Sequence, residues 1–207
     1  NWYKIDRGDV VLEEEELRSK YIKPFKESIN MGVGSIMVSY NSWKGQKLHG
    51  HKYLINDVLK KELRFDGIVV SDWAGINELD KDYKTCIIQS INAGIDMNMV
   101  PGSLSPDDNS YDDFIRLAIE SVKEGSIPME RIDDAVSRIL RIKKKIGLFD
   151  NPIKKPKNTD VVGSKRHREL ARKSVRKSLV LLKNENQILP LQKNNSKITL
   201  VGEHADN

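Results

Sequence analysis

The run Gly67-Ile68-Val69-Val70-Ser71-Asp72 places apolar residues at successive positions, with no polar alternation before the closing Ser-Asp. A strand with one face in water alternates, so an unbroken run predicts a strand covered on both faces. That is the pattern of a parallel sheet under helices. Two further segments read as strands: Val33 to Tyr40, and Ile95 to Val100 closed by Pro101-Gly102. Helical stripes lie around them. Leu17, Tyr21, Phe25 and Ile29 recur at helical spacing, and Pro24 is expected to break or restart that helix. Leu54, Ile55, Val58, Leu59 and Leu63 mark a second helix, and residues 81–93 a third. Tyr111 to Lys123 and Glu130 to Lys145 follow, the latter with Ile132, Val136, Ile139 and Ile142 on its buried stripe. Gly147 suits the left-handed position after its last turn.

Strands alternating with helices imply right-handed parallel βαβ units. A closed eight-unit barrel needs about 250 residues, and the visible units stop well short of eight. Residues 148–163 are rich in Pro, Lys and Asn without periodicity, which predicts a linker. Beyond it, Ser164 is expected to cap a helix through Lys177, with strands at Leu179 to Leu182 and Ile198 to Gly202. The expected organisation is the back part of one α/β domain, a linker, and the opening elements of a second.

Several classes are excluded early. No apolar run approaches the roughly 20 residues of a membrane span, so no membrane-spanning role is expected. Asn1-Trp2-Tyr3 shows no signal-peptide pattern and no initiator Met, so a fragment or processed chain is expected and the compartment stays open. Cys86 is alone, which excludes an internal disulfide and a Cys-based zinc site. His49 and His51 suit a hydrogen-bonded structural role better than a metal site, and Gly32-Val33-Gly34 precedes a strand instead of following one, unlike a phosphate loop. Residues 141–207 hold 17 Lys/Arg against 6 Asp/Glu. Their only aromatic is Phe149, so base stacking has little to work with and no nucleic-acid partner is expected. Asn194-Asn195-Ser196 has the form of an N-glycosylation sequon. Oligomeric state is not legible.

In parallel α/β folds the working residues gather beyond the carboxyl ends of strands. The strand ends here are Ser39-Tyr40-Asn41, Ser71-Asp72-Trp73 and Met99-Val100-Pro101. The middle one is the informative end. A carboxylate supplies a nucleophile or an acid/base group for glycosyl transfer, whose oxocarbenium-like transition state needs nearby negative charge. An indole face stacks on the C–H face of a sugar ring, and Tyr40 adds a hydroxyl to the same rim. The bland alternatives stand beside this: Asp72 capping a turn, Trp73 in a core, Met37 and Met99 filling gaps.

The segment GIVVSDWAG resembles the nucleophile region of glycoside hydrolase family 3. Upstream, MVSYNSWKGQKLHGHKYLINDVLKKELRFDG is similar to the exo-acting β-glucosidase and β-glucan exohydrolase branch of that family. AGIDMNMVP, GSIPMERIDDAVSRILRIKKKIGLFDNP and HRELARKSVRKSLVLLKNENQILPL continue the likeness over nearly the whole chain. The resemblance implies an α/β fold in which residues 1–147 form the C-terminal part of a (β/α)8 TIM-type barrel. Residues 164–207 would then start a second α/β sandwich domain. It implies Asp72 as the nucleophile of a retaining mechanism, Trp73 as a wall of the leaving-group subsite, and Tyr40, Met37 and Met99 as lining of the sugar pocket. The implied ligands are β-linked glucosides or glucan oligosaccharides, with no cofactor, and the implied compartment is secreted, periplasmic or lysosomal. The family's acid/base Glu and its sugar-gripping residues fall outside these 207 residues, so the segment alone is not expected to turn over substrate. Action on β-xylosides or N-acetylglucosaminides, or a non-catalytic carbohydrate-binding role, are the competing expectations.

Overall fold

The computed structural model describes residues 6–102, 109–152, 159–191 and 197–203. The sequon at Asn194 and the first five positions lie outside them. The chain divides into two compact units, Asn1–Ile153 and Lys154–Asn207. The division falls inside the segment that composition marks as a linker.

In the first unit, strand β2 (Ser35–Met37) pairs in parallel with β5 (Ile68–Val70), in the register Ser35 to Ile68 and Met37 to Val70. The third expected strand, Ile95 to Val100, is reduced to one parallel bridge between Val70 and Met97. The amides of Asp96 and Met97 both donate to the Val69 carbonyl, at 2.9 and 3.1 Å. Two donors on one acceptor are a bulge-like arrangement, and it breaks the ladder after one step. A second small sheet, absent from the sequence reading, joins β1 (Asp9–Val10), β3 (Ser42–Trp43) and β4 (Gln46–Lys47) in the order β1-β3-β4. Lys44 and Gly45, both at positive φ (49° and 81°), make the two-residue turn between β3 and β4. That backbone matches the twist of a tight hairpin.

The first helix, α1, runs as Glu14–Glu16, a wider π-helical stretch Leu17–Ile22, and Lys23–Asn30. Pro24 thus lies within a continuous helix, directly after the widened π-helical stretch, which accommodates its missing N–H without ending the helix. Helix α2 (Tyr53–Glu62) is π-helical and buries Ile55, Val58 and Lys60. Helix α3 (Tyr83–Ala93) starts on Asp82, whose carboxylate accepts the Thr85 amide at 2.8 Å. Helix α4 (Tyr111–Lys123) starts on a reciprocal Ser110–Asp113 capping box. Helix α5 (Met129–Lys145) ends with Gly147 at φ 78°, as its sequence position suggested. Its expected stripe is only partly covered, since Val136 is 46% exposed while Ala135 is buried.

The core of this unit gathers Phe65, Val69, Ile76, Cys86, Ile87, Ile95 and Ile127, all buried. Val69 and Ile95 come from the sheet side and Ile87 from α3, so the unbroken apolar run is indeed covered. No helix among the described residues is long and apolar enough to cross a membrane.

In the second unit, helix α6 (Lys165–Ser178) begins on Ser164, whose hydroxyl accepts the His167 amide. The strands expected at Leu179 to Leu182 and Ile198 to Gly202 are not formed. Both segments are irregular and Leu182 is 91% exposed. A strand exists only with a partner, and the described residues give these two none.

Candidate functional site

Asp72 and Trp73 emerge from β5, and a short turn bends the chain back at once. The Asp72 carbonyl accepts the Gly75 amide at 3.0 Å and the Ser71 hydroxyl at 2.9 Å. Ala74 takes a left-handed backbone (φ 51°), and a short 3₁₀ segment, Gly75–Glu78, follows. Ser71 binds the neighbouring chain on both sides. Its amide donates to the Met97 carbonyl at 2.9 Å, and its hydroxyl accepts the Met99 amide at 2.7 Å. The Ala74 amide then donates to the Met99 carbonyl at 3.0 Å. Met99 is thus fastened by its backbone beside Asp72.

The Asp72 carboxylate is half-buried and accepts the Trp73 amide at 2.6 Å. It has no salt-bridge partner among the described residues. Trp73 leaves its indole 56% exposed. The Tyr40 hydroxyl donates to the Trp73 carbonyl. Burial, with the Asp72 charge next, holds the Tyr40 hydroxyl above the usual phenol range, so it stays a donor. Asp72, Trp73, Tyr40 and the Met99 backbone are therefore brought together.

Met37 is not part of that group. It sits opposite Val70 in the ladder and is 52% exposed. It lines a separate apolar pocket of about 360 Å³ with Leu17, Tyr21, Phe25, Leu54 and Leu63. None of Tyr40, Asp72, Trp73 and Met99 lines that pocket.

A charged wall surrounds Tyr40 that no local pattern announces. Glu78 accepts Arg7 Nε at 2.7 Å on one carboxylate oxygen and Lys47 Nζ at 2.6 Å on the other. The Arg7 guanidinium also lies 4.1 Å from the Tyr40 ring centroid, a cation–π contact. Burial opposes ionisation of Glu78, yet its two cationic partners prevail and hold its carboxyl below the usual range. A group so held is an anion at neutral pH and a poor proton donor. Nothing in the local sequence announced it, because Arg7 and Glu78 lie 71 residues apart.

His49 has the hydrogen-bonded role its sequence position suggests, but its partner, Asp72, is not legible in the sequence. This histidine sits in the short turn Leu48–Gly50 and is 1% exposed. Its Nε2 accepts the Asp72 amide at 3.0 Å, and its buried Nδ1 has no partner among the described residues. An acceptor Nε2 fixes the neutral tautomer with the proton on Nδ1. Leaving that donor unpaired costs about 1–3 kcal/mol. Burial drives the imidazole down to about 4, against opposing Asp72 and Glu78 charges and with Lys47 adding to the fall. His51 is buried as well, stacked 5.5 Å from Trp43, and burial lowers it too. Among the described residues no group of three or more His, Cys, Asp and Glu could hold a metal ion.

Folded His49 refuses a proton that the unfolded chain accepts below pH 6.5, so acidification favours unfolding. We predict that this group alone removes about 3 kcal/mol of stability as pH falls from 6.5 to about 4. Unfolding of the full-length protein and of His49→Gln, followed across that window, is the measurement. A stability difference between the two that stays constant with pH would refute it.

The family profile described as Glycosyl hydrolase family 3 N terminal domain matches residues 5–142. The chain is 37% identical to a lysosomal beta glucosidase of Dictyostelium discoideum over 97% of its own length and 25% of that protein. It is 32% identical to a beta-xylosidase of Formosa agariphila, over 97% of this chain and 29% of the other. Among solved structures, an exo-1,3/1,4-beta-glucanase from a Pseudoalteromonas species superposes with a TM-score of 0.71 at 41% identity, covering 90% of this chain and 23% of that one. The chain thus spans about a quarter of the length of the curated relatives it matches.

Proposed function

The chain belongs to glycosyl hydrolase family 3, and on that premise we propose that it carries the nucleophile region of a retaining exo-β-glucosidase or β-glucan exohydrolase. One observation supports this reading most. Asp72 offers a carboxylate with no cation partner among the described residues, at a strand end beside an exposed indole and a pinned tyrosine hydroxyl. In the proposed reaction a carboxylate oxygen of Asp72 attacks the anomeric carbon, and the bond to the leaving oxygen breaks. That oxygen takes a proton from a general acid. Water then attacks the same carbon and frees Asp72.

The family resemblance implies that the acid lies elsewhere in the full-length protein, and neither Glu78 nor Asp96 is suited to serve in its place. Glu78 is held ionised by Arg7 and Lys47, and Asp96 is buried against Lys60 and Arg131. Glu78 therefore has no proton to give, and Asp96 is buried in the interior and does not face a leaving oxygen. Trp73 would stack on the leaving-group side, with Tyr40 and Met99 beside the sugar. Met37, exposed at the end of β2, would line the sugar pocket with them in the full-length protein. On this reading residues 1–147 are the C-terminal part of a (β/α)8 barrel, 148–163 the linker, and 164–207 the start of a second α/β sandwich domain. The substrates would be β-linked glucosides or glucan oligosaccharides, in a lysosomal, periplasmic or secreted setting.

The test is covalent trapping in the full-length protein. A slow 2-fluoro β-glucoside should leave an adduct that peptide mapping places on Asp72. An adduct on any other residue would remove the assignment. The relative named a beta-xylosidase favours one second reading. Faster hydrolysis of an aryl β-xyloside than of the matching glucoside would change the sugar and keep the mechanism.

A further inference from the structure

The peptide around Asp72 has nearly all its polar groups spoken for. Its carbonyl is held by Gly75 and Ser71, the next amide by its own carboxylate, and the next carbonyl by Tyr40. The remaining group, the Asp72 amide, donates to a side chain 23 positions upstream, His49 Nε2, at 3.0 Å. A second, independent observation concerns Gly75. A Cβ there would lie 2.3 Å from His49 Nε2 and 2.4 Å from Cε1, so the imidazole is packed directly against the backbone of the turn. The same ring is 5.9 Å from the ring of Tyr40.

We propose that His49 is a positioning residue for Asp72, fixing the height and direction of the carboxylate by accepting its backbone amide and filling the space beneath Gly75. This rests on the reading of Asp72 as nucleophile. His49 does not face the sugar and takes no proton in the reaction. Its contribution comes through placement, and attack at an anomeric carbon is sensitive to misplacement of about 1 Å. A buried aromatic that merely filled space would need no acceptor nitrogen. His49 supplies one at the price of an unpaired Nδ1.

The experiment uses the full-length protein with His49→Leu, His49→Gln and Gly75→Ala. It follows the rate of 2-fluoro glycoside labelling at Asp72, together with kcat and KM on an aryl β-glucoside. His49→Leu removes the acceptor and should lower labelling rate and kcat roughly 10- to 100-fold, with KM within about threefold. His49→Gln keeps an acceptor at similar reach and should recover to within about fivefold of the natural rate. Gly75→Ala displaces the ring and should slow labelling like His49→Leu. If His49→Leu does not fold, the contrast between His49→Gln and Gly75→Ala decides alone. Labelling at the natural rate in a folded His49→Leu or in Gly75→Ala overturns the proposal, as does His49→Gln being as slow as His49→Leu. Absence of an Asp72 adduct in the natural protein overturns it together with the functional reading, and is told apart because the parent itself fails to label.

Discussion

Asp72→Asn is expected to lower kcat on an aryl β-glucoside roughly 10⁴-fold or more while leaving the protein folded. Both halves of that expectation come from the same geometry. The carboxylate accepts the Trp73 amide at 2.6 Å, has the Tyr40 hydroxyl beside it, and has no cation to abandon among the described residues. An asparagine carbonyl oxygen can accept that amide in the same place, so little stability is lost. It is a far weaker nucleophile, and it brings no negative charge to an oxocarbenium-like transition state. Turnover and thermal unfolding measured on one preparation check both halves. A folded variant that keeps more than a few per cent of the natural rate would remove Asp72 from the reaction. A variant that unfolds would show that the carboxylate holds structure the hydrogen bonds do not reveal.

The candidate site is legible in sequence where its residues sit on local pattern. Val69 and Val70 told of a doubly covered strand, and such strands deliver their next residues to a working rim. Asp72 and Trp73 followed from that, and Tyr40 from the neighbouring strand end. The partners that hold them did not. His49 reaches Asp72 across 23 residues and Arg7 reaches Glu78 across 71, so no window along the chain contains either contact. Asp9–Val10 and Ser42–Trp43 are too short to show any period, which hid the small sheet. The opposite error came from Leu179 to Leu182. Their apolar character reads as strand, yet pairing needs a second chain segment, and composition cannot supply one. Ile95 to Val100 failed as a strand for a different reason. Asp96 interrupts it, turning its carboxylate into the protein and doubling the amides on Val69.

That carboxylate carries the second large effect. The Asp96 side chain is fully buried and accepts Lys60 Nζ at 2.7 Å, the Val69 amide at 2.9 Å and the Arg131 guanidinium. Asp134, 40% exposed, bonds Arg138 at 2.8 Å and reaches Lys60 at 3.4 Å. Arg138 in turn donates to the carbonyls of Phe65 and Gly67 at 2.8 and 3.2 Å. The cluster therefore ties α2 and α5 to the start of β5, the strand that presents Asp72. Burial pulls the Lys60 ammonium below its ordinary range, and Asp96 opposes that pull. Removing Asp96 leaves two buried cations sharing the half-exposed Asp134. Breaking a buried pair from one side costs about 3–5 kcal/mol, against a typical domain stability of about 5–15 kcal/mol. Asp96→Ala should therefore lower the denaturant midpoint sharply and reduce soluble yield. Asp96→Asn, which can still accept the Val69 amide, should fall between it and the natural protein. The exposed pairs offer the contrast: Lys61→Ala breaks a solvent-facing contact to Asp57 and should stay within about 1 kcal/mol. An Asp96→Ala midpoint no lower than that of Lys61→Ala would mean that the cations find water or another partner, and that β5 is held by its apolar faces alone.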